Sequence, residues 1–252
     1  VQVLCDYVGG GFGAKCRIGQ DTVAAVKLAL EANAPVCVAC DRRQELTTGG
    51  NRPGVSLDVA MLASSAGSLA AVGVESYAST GAGVGHTAGV FFRLMYPGAA
   101  KSLDDYDVVT HSPSAEPFRG PGGPPAFWAL EQTVDAIAVD RGEDPIALRR
   151  RWDPSPLRAR LYDRAQALPM WVDRGPVAAE RGRYRRGVGL AASTWFYFAQ
   201  VDSQVQVSSS ADGFRVSCAT QDVGNGTRSV LAESAGQYLG VPASSIDVRI
   251  GD

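Results

Sequence analysis

Three glycine-rich loops contain the residue types in this sequence that are best suited to bind an anionic ligand. They span residues 9–13, 118–125 and 222–227, and a segment with helical periodicity follows each of them. A helix begins with backbone N–H groups that lack partners and with the positive end of its dipole. Glycine also lets the backbone approach a ligand closely. The loops therefore predict an anion site built from backbone groups, and three such junctions could surround one ligand.

None of these loops matches a common phosphate-binding motif. Residues 9–13 lack the G-x-G-x-x-G spacing of dinucleotide-binding proteins, and no G-x-x-x-x-G-K-[ST] sequence occurs. The bare pattern indicates a phosphate-bearing ligand and leaves a simple nucleotide binder open. Other interpretations also stay open: residues 9–13 could be a tight strand exit, Arg119 a solvated loop residue, and Asn225 a left-handed turn residue.

The composition is that of a globular protein. The chain has 252 residues, of which 45% are hydrophobic and 20% charged, enough for one large domain or two ordinary ones. The net charge of −2 provides no field that would hold a polyanion, so we expect no nucleic-acid partner. No apolar stretch reaches about 18 residues, so we expect no membrane span. The first residue is Val1 rather than Met, which suggests a piece of a longer protein.

The cysteines and histidines predict no metal ligand. The five cysteines have irregular spacing, which favours a reducing compartment and a cytoplasmic location. Cys37 and Cys40 lie three apart in a β-like run, where their side chains would face opposite sides. His86 and His111 are far apart in sequence, so we interpret each as a surface or hydrogen-bonded residue.

The first half of the chain predicts a mixture of strands and helices. Residues 1–7 alternate as a strand does, and a helix with Val23, Val26 and Leu30 on one face follows the first loop. A strand is predicted at residues 36–40. Two further runs, at 57–62 and 69–77, predict an antiparallel pair, and residues 81–105 have no clear pattern.

The second half repeats the succession of loop and helix. An amphipathic helix follows the loop at 118–125 and ends near Gly142. The last part predicts a hairpin of residues 205–208 and 214–218, a helix closed by Gly240, and a strand at 246–250. We therefore predict an α+β fold of two lobes with mixed sheets and packed helices. The lobes are residues 1–150 and 187–252, and residues 151–186, rich in Arg, Pro and Trp, connect them.

The order of the motifs is more informative than any one of them. The loops read Gly-Gly-Gly-Phe-Gly at 9–13, Phe-Arg-Gly-Pro-Gly-Gly at 118–123 and Gln-Asp-Val-Gly-Asn-Gly-Thr at 221–227. Asp-Pro-Ile-Ala-Leu-Arg at 144–149 and Arg-Gly-Val-Gly at 186–189 fall between them. This order resembles the molybdopterin-binding (large) subunit of the xanthine oxidase/aldehyde oxidase family, and the resemblance covers residues 1–252. It implies a molybdopterin-binding-domain fold.

The resemblance implies a role for each loop. In this family the first loop lies beside the metal, the second contacts the same centre and lines the substrate approach, and the third holds polar and phosphate groups of the pterin. The implied cofactor-binding residues are Gly10, Gly11, Phe12, Gly13, Arg119, Gly120, Gly224, Asn225, Gly226 and Thr227. The implied substrate-lining residues are Phe118, Pro121 and Cys16.

The implied chemistry is hydroxylation of an aldehyde or an N-heterocycle with oxygen from water. It uses a molybdenum–molybdopterin cofactor, and electrons leave through 2Fe–2S and FAD centres of partner domains or subunits. Cys16 stands where purine-hydroxylating members have glutamate, and Pro121 replaces an aromatic residue. Both differences argue against a purine substrate.

The chain also departs from the family pattern at its end. The family's catalytic glutamate lies in a later segment, so we expect no catalytic base in this chain and no activity of the chain alone. A sequence truncated before that glutamate fits part of a molybdenum hydroxylase. The alternative is a non-catalytic binding or assembly module that kept the fold.

Overall fold

The chain forms two compact units that do not follow the order of the sequence. The computed structural model describes residues 3–176, 179 and 182–251. One unit joins Val1–Gly19 to Phe196–Asp252, and the other is Gln20–Trp195. We call them the terminal unit and the central unit. The first and third glycine loops therefore belong to the terminal unit, and the second belongs to the central unit. The boundaries at 150 and 187 stay a prediction.

A three-stranded sheet forms the base of the central unit. Strands β1 (Val55–Ala63) and β2 (Leu69–Gly81) pair antiparallel, which confirms the predicted pair. Strand β3 (Ala100–Val109) pairs parallel to β2. Its pattern is hidden in the sequence because aspartates, which are rare in strands, occupy much of it. Two of them serve neighbouring backbone: Asp105 accepts from the N–H of Gly89, and Asp107 accepts from the N–H groups at 85 and 86.

Two helices pack on one another beside this sheet. Helix α3 (Ala88–Leu94) occupies part of the stretch that had no clear pattern, and α4 (Gly123–Arg141) is the helix predicted after the second loop. Their apolar side chains are buried together with those of β2. The fully buried apolar residues include Val72, Val74, Phe91, Phe92, Leu130 and Val134.

A buried ion pair connects α4 to the next helix, α5 (Pro145–Trp152). The Arg149 side chain is 0% exposed, and its Nε donates to Glu131 Oε2 at 2.7 Å. Arg149 Nη1 donates to Asp135 Oδ1 at 2.7 Å. Glu131 also accepts from the Tyr96 hydroxyl at 2.7 Å and from the Ala192 N–H at 2.6 Å. One carboxylate thus joins four separate segments of the central unit.

The connection predicted at 151–186 is helical over much of its length. Helix α5 ends in it, and α6 (Pro156–Gln166) and α7 (Pro169–Val172) lie within it. The role of this segment as a connection between two lobes stays a prediction. Each of these helices begins with proline, which is suited to a first helical turn because its missing N–H would have no partner there. Asp144 and Ser155 cap the first two with side-chain oxygens.

The first part of the chain contains helices but not the predicted strands. Helix α1 (Gln20–Ala32) confirms the predicted helix, although it has no buried residue, and α2 (Arg42–Thr48) follows it. The described residues 3–7 and residues 36–40 form no strand, so both strand predictions were wrong there. Val1 and Gln2, the start of the predicted first strand, lie outside the described residues. An alternating pattern needs a neighbouring strand to become a β-strand, and neither segment pairs with one in the described chain.

The terminal unit has the predicted succession of two strands, a helix and a strand. Strands β4 (Val205–Ser210) and β5 (Gly213–Cys218) form the hairpin, and β6 (Ile246–Ile250) pairs parallel to β5. Helix α8 (Thr227–Leu239) begins at the third glycine loop and ends at Gly240, which has φ of 70°. Two mixed sheets with packed helices confirm the α+β prediction. Within the described residues, no helix combines the length and apolarity needed to cross a membrane.

We predict that neutralising Glu131 destabilises the protein strongly. Glu131→Gln leaves the buried guanidinium of Arg149 without its main counter-charge, which costs about 3–5 kcal/mol of the free energy of unfolding. The matched control is Asp140→Asn, an exposed carboxylate on the same helix, with an expected change within about 0.5 kcal/mol. Urea denaturation of both variants measures the difference. Equal stability of the two variants would contradict the role assigned to this ion pair.

Candidate functional site

Asp222 organises the third glycine loop. Its Oδ1 accepts hydrogen bonds from the N–H groups of Gly224, at 3.0 Å, and Gly226, at 3.2 Å. Its Oδ2 accepts from the N–H of Arg228 at 3.1 Å. The Arg228 N–H lowers the pKa of Asp222 below its ordinary value of 3.8, and the two glycine N–H groups lower it further. The loop is thus wrapped around one carboxylate at the start of α8.

The other polar side chains of this loop bond to the loop itself. The Asn225 side-chain amide donates to Thr227 Oγ1 at 2.9 Å, and its oxygen accepts from the Val223 N–H at 3.1 Å. The Thr227 hydroxyl donates to the Gln221 carbonyl at 3.1 Å. Asn225 has no positive φ, so its interpretation as a left-handed turn residue was wrong. Gly224 and Gly226 supply the left-handed conformations instead, with φ of 97° and 80°.

The first glycine loop is a pair of tight turns. Gly10, Phe12 and Gly13 have φ of 106°, 51° and 88°. The Ala14 N–H donates to the Gly11 carbonyl at 2.9 Å, and the Cys16 N–H donates to the Gly13 carbonyl at 3.2 Å. A Cβ at Gly10 would lie 2.7 Å from the Phe12 ring, and the φ of 106° is itself strained for any residue other than glycine. This geometry exceeds what a simple strand exit needs, and the segment before it is not a strand.

The first and third loops meet in the terminal unit although more than 200 residues separate them. A Cβ at Gly224 would lie 4.0 Å from Gly10 Cα. Arg228, in the first turn of α8, donates to the Asp6 carbonyl at 2.6 Å, and its guanidinium carbon lies 5.2 Å from the centroid of the Tyr7 ring. Two glycine-rich backbones therefore approach each other without intervening side chains.

The second loop is held from outside by Arg52. The guanidinium contacts the carbonyls of Phe118 and Arg119, each at 2.6 Å, and that of Gly120 at 3.3 Å. Arg119 and Gly120 have φ of 21° and 74°. The Gly123 N–H then donates to the Gly120 carbonyl at 3.0 Å, where α4 begins. The carbonyls of residues 118–120 therefore all contact the same guanidinium.

The proposed substrate-lining residues fall in different units. Phe118 and Pro121 belong to the central unit, and Phe118 is half-exposed. Cys16 is exposed in the terminal unit. The sequence analysis treated these three residues together because of the resemblance alone, and their shared role stays a prediction.

The histidines and cysteines fit ordinary structural roles. His86 is buried, with Nε2 lying 3.0 Å from Ser76 Oγ and 3.6 Å from Asp105 Oδ1, and burial lowers its pKa below 6.5. This confirms its interpretation as a hydrogen-bonded residue. The five cysteines are free thiols. The described part of the chain contains no group of three His, Cys, Asp or Glu side chains that could hold a metal ion.

Sequence reasoning did not single out two of the residues that shape these loops. Asp222 has a local signal, because an aspartate two residues before glycine commonly accepts backbone N–H bonds in a turn. Arg52 has none, because its partners lie 66–68 residues further along the chain.

The donor set suits a polar, anionic ligand bound through backbone groups. Glycines at positions 10, 224 and 226 take conformations that other residues adopt only with strain, and a Cβ at Gly226 would meet nothing within 4 Å. These glycines have no side chains to cover the backbone of the two loops, although the N–H groups of Gly224 and Gly226 themselves donate to Asp222. These residues fit a large organic cofactor that carries phosphate and amide-like groups. A metal that such a cofactor holds through its own atoms needs no Cys or His ligand from the protein.

Comparison with known proteins agrees with the geometry. Residues 1–152 match the family described as molybdopterin cofactor-binding domain, and residues 165–252 match a second family with the same description. The chain is 27% identical to the xanthine dehydrogenase molybdenum-binding subunit of Escherichia coli O157:H7 over 99% of its length. It is also 27% identical to the aldehyde oxidoreductase molybdenum-binding subunit PaoC of Escherichia coli K12 over its whole length. It spans 36% of each of these relatives.

The solved structures share the fold. The quinoline 2-oxidoreductase from Pseudomonas putida 86 superposes with a TM-score of 0.73 at 20% identity. The superposition covers 97% of this chain and 36% of that one. The prediction of a molybdopterin-binding-domain fold is therefore confirmed.

We predict that Asp222→Asn loosens the third loop. The variant loses charge-assisted bonds to three N–H groups, so amide exchange at 224, 226 and 228 should rise roughly three- to tenfold at neutral pH. Because the folded pKa lies below 3.8, the protection is complete above that pH and is lost as the pH falls through the lowered pKa. Hydrogen-exchange NMR measures both effects.

Asp212→Asn is the control, because this aspartate is exposed in the turn between β4 and β5. Its exchange pattern at 224–228 should equal that of the wild type. Unchanged exchange in Asp222→Asn would show that the carboxylate does not fix the loop.

Proposed function

Because the chain belongs to the molybdopterin cofactor-binding domain family, we propose that it contributes cofactor contacts to a molybdenum-dependent hydroxylase. The observation that supports this proposal most strongly is the approach of two glycine-rich backbones, at Gly10 and Gly224, in one compact unit. If each loop were only a simple turn, the two loops would not need to contact each other. A ligand bound by backbone groups from both explains why neither has side chains at the point of approach.

The loops of the terminal unit would hold the polar parts of the cofactor. Backbone N–H groups of residues 10–13, together with those of Asn225 and Thr227, are suited to phosphate and oxo oxygens, whereas the N–H groups of Gly224 and Gly226 already donate to Asp222. Asn225 and Thr227 add an amide and a hydroxyl at the same place. Within the central unit, Arg119 and Gly120 are proposed cofactor contacts on the resemblance alone. When bound, the cofactor supplies the redox-active molybdenum centre.

The chain's own residues would orient the cofactor rather than transfer protons. We place no catalytic residue in this chain, since the resemblance locates the base, a glutamate, in a later segment. The curated relatives are molybdenum-binding subunits, so we propose partner domains or subunits with 2Fe–2S and FAD centres, which would accept the electrons.

We propose an aldehyde or a non-purine N-heterocycle as the substrate. Cys16 offers no carboxylate to a purine, and Pro121 offers no aromatic face for a ring to pack on. The two relatives do not distinguish between these substrate classes. One is named a xanthine dehydrogenase subunit and the other an aldehyde oxidoreductase subunit, and the chain is 27% identical to each.

We predict that Gly226→Val removes the cofactor from the full-length protein. Valine at φ of 80° is strained by about 1–3 kcal/mol, and its side chain would fill the surface assigned to the ligand. Molybdenum and pterin per polypeptide should fall about tenfold or more. Elemental analysis and pterin fluorescence measure both.

Gly187→Val is the matched control, because this glycine has no positive φ and its Cβ would meet nothing within 4 Å. Its cofactor content should equal that of the wild type. Normal content in Gly226→Val would remove the third loop from the site, and a wild-type protein that folds without molybdopterin would favour the non-catalytic assembly module.

A further inference from the structure

We propose that Arg52 is a positioning residue: by gathering the carbonyls of residues 118–120, it turns the peptide N–H groups of Arg119 and Gly120 toward the opposite side of the loop, where we assign the cofactor contact. This inference rests on the proposed function and adds a residue to it. Arg52 lies outside all three glycine loops, and its role follows from the geometry of the central unit.

The Arg52 guanidinium makes its contacts with three consecutive peptide groups. Nη2 donates to the carbonyls of Phe118 and Arg119, each at 2.6 Å, and Nη1 donates to the carbonyl of Gly120 at 3.3 Å. The carbon at the centre of the guanidinium also lies 5.1 Å from the centroid of the Phe118 ring. One planar cation therefore determines the direction of three successive carbonyls.

The planarity of the peptide bond converts this arrangement into a direction for the N–H groups. In a trans peptide the C=O and the N–H point in opposite directions. The Phe118 carbonyl shares its peptide with the Arg119 N–H, and the Arg119 carbonyl shares its peptide with the Gly120 N–H. Both N–H groups must therefore point away from Arg52. The third peptide carries no N–H, because Pro121 follows.

Outside a helix, three successive carbonyls that point to the same side need a partner to hold them there. Their dipoles repel one another, and the conformation needs positive φ at Arg119, 21°, and at Gly120, 74°. A non-glycine residue in that region is strained. Charge-assisted hydrogen bonds from Arg52 offset both costs, so this side chain holds the loop in a conformation that it would otherwise leave.

Arg52 is itself anchored to the segment that leads into the loop. The Asn51 N–H donates to the Ser114 carbonyl at 3.0 Å, and the Glu116 N–H donates to the Asn51 carbonyl at 3.1 Å. This pairing forms a β-bridge between Asn51 and Ala115. The backbone at Asn51 is therefore hydrogen-bonded to the segment that leads into the loop. This pairing fixes the Arg52 guanidinium relative to the carbonyls that it contacts.

The chemistry needs a guanidinium rather than any cation. Its five donors lie in one plane and can serve several carbonyls, whereas a lysine ammonium is a compact charge with a different geometry. A cation on the carbonyl side also polarises the peptides and makes their N–H groups stronger donors to an anion. Lysine keeps this charge but loses the planar arrangement, and glutamine loses both the charge and most of the donors.

These differences define the experiment on the full-length protein. Arg52→Gln should lower molybdenum and pterin per polypeptide about tenfold, while Arg52→Lys should restore most of the content. The Mo(V) electron paramagnetic resonance spectrum of Arg52→Lys should shift relative to that of the wild type, because the N–H groups next to the centre are reoriented. A residue with a purely structural role would change the melting temperature without changing this spectrum.

Arg160→Gln is the matched control, because Arg160 is exposed on α6 and has no hydrogen bond or ion pair within the described residues. It should match the wild type in cofactor content and spectrum. If Arg52→Gln does not fold, Arg52→Lys alone decides the question through its spectrum.

The outcomes distinguish a failure of the role proposed for Arg52 from a failure of the proposed function. Wild-type protein with molybdopterin, together with Arg52 variants of normal content and unchanged spectrum, overturns the role of Arg52 and leaves the proposed function standing. Wild-type protein that folds without molybdopterin overturns the proposed function and this inference together. Loss in Arg52→Gln with recovery in Arg52→Lys and a shifted spectrum supports both.

Discussion

A loop rich in glycine cannot hold one conformation by itself, and this constraint explains the arrangement of charged residues in this protein. Asp222 gathers three N–H groups in the terminal unit, and Arg52 gathers three carbonyls in the central unit. Asp222 and Arg52 carry opposite charges but have the same effect. Each supplies hydrogen bonds that hold a loop whose glycines have little conformational preference of their own. Backbone groups on the other side of each loop are then directed without any side chain to cover them.

The rest of the central unit supports this local order. The second loop leads directly into α4, whose face carries Glu131, and the buried pair of Glu131 with Arg149 ties that helix to α5. Burial raises the pKa of Tyr96 above its ordinary value of 10, so the hydroxyl stays protonated and donates to Glu131. The loop is thus attached to a helix that a buried network holds in place, while its own shape depends on Arg52.

Local patterns predicted the parts of the fold that local interactions determine. Helices α4 and α8, each next to a glycine loop, and the two antiparallel pairs were correctly predicted from periodicity and turn residues. The strands expected at 1–7 and 36–40 were wrong in the described residues because a strand depends on a partner that its own sequence does not specify. Strand β3 was missed because aspartates, which are rare in strands, interrupt its apolar pattern. The helices that begin at the prolines 145, 156 and 169 were not predicted, because that part of the sequence shows little periodicity. Motif order identified the loops of the candidate site, but Arg52 could not be found because its partners are remote in sequence.

A crystal structure of the full-length protein purified with its cofactor tests the central claim most directly. The account predicts that backbone N–H groups of residues 10–13, and those of Asn225 and Thr227, lie within about 3.2 Å of cofactor oxygen atoms, while the N–H groups of Gly224 and Gly226 still donate to Asp222. A cofactor that contacts neither loop, or loops that have released Asp222 in order to bind it, would contradict the account.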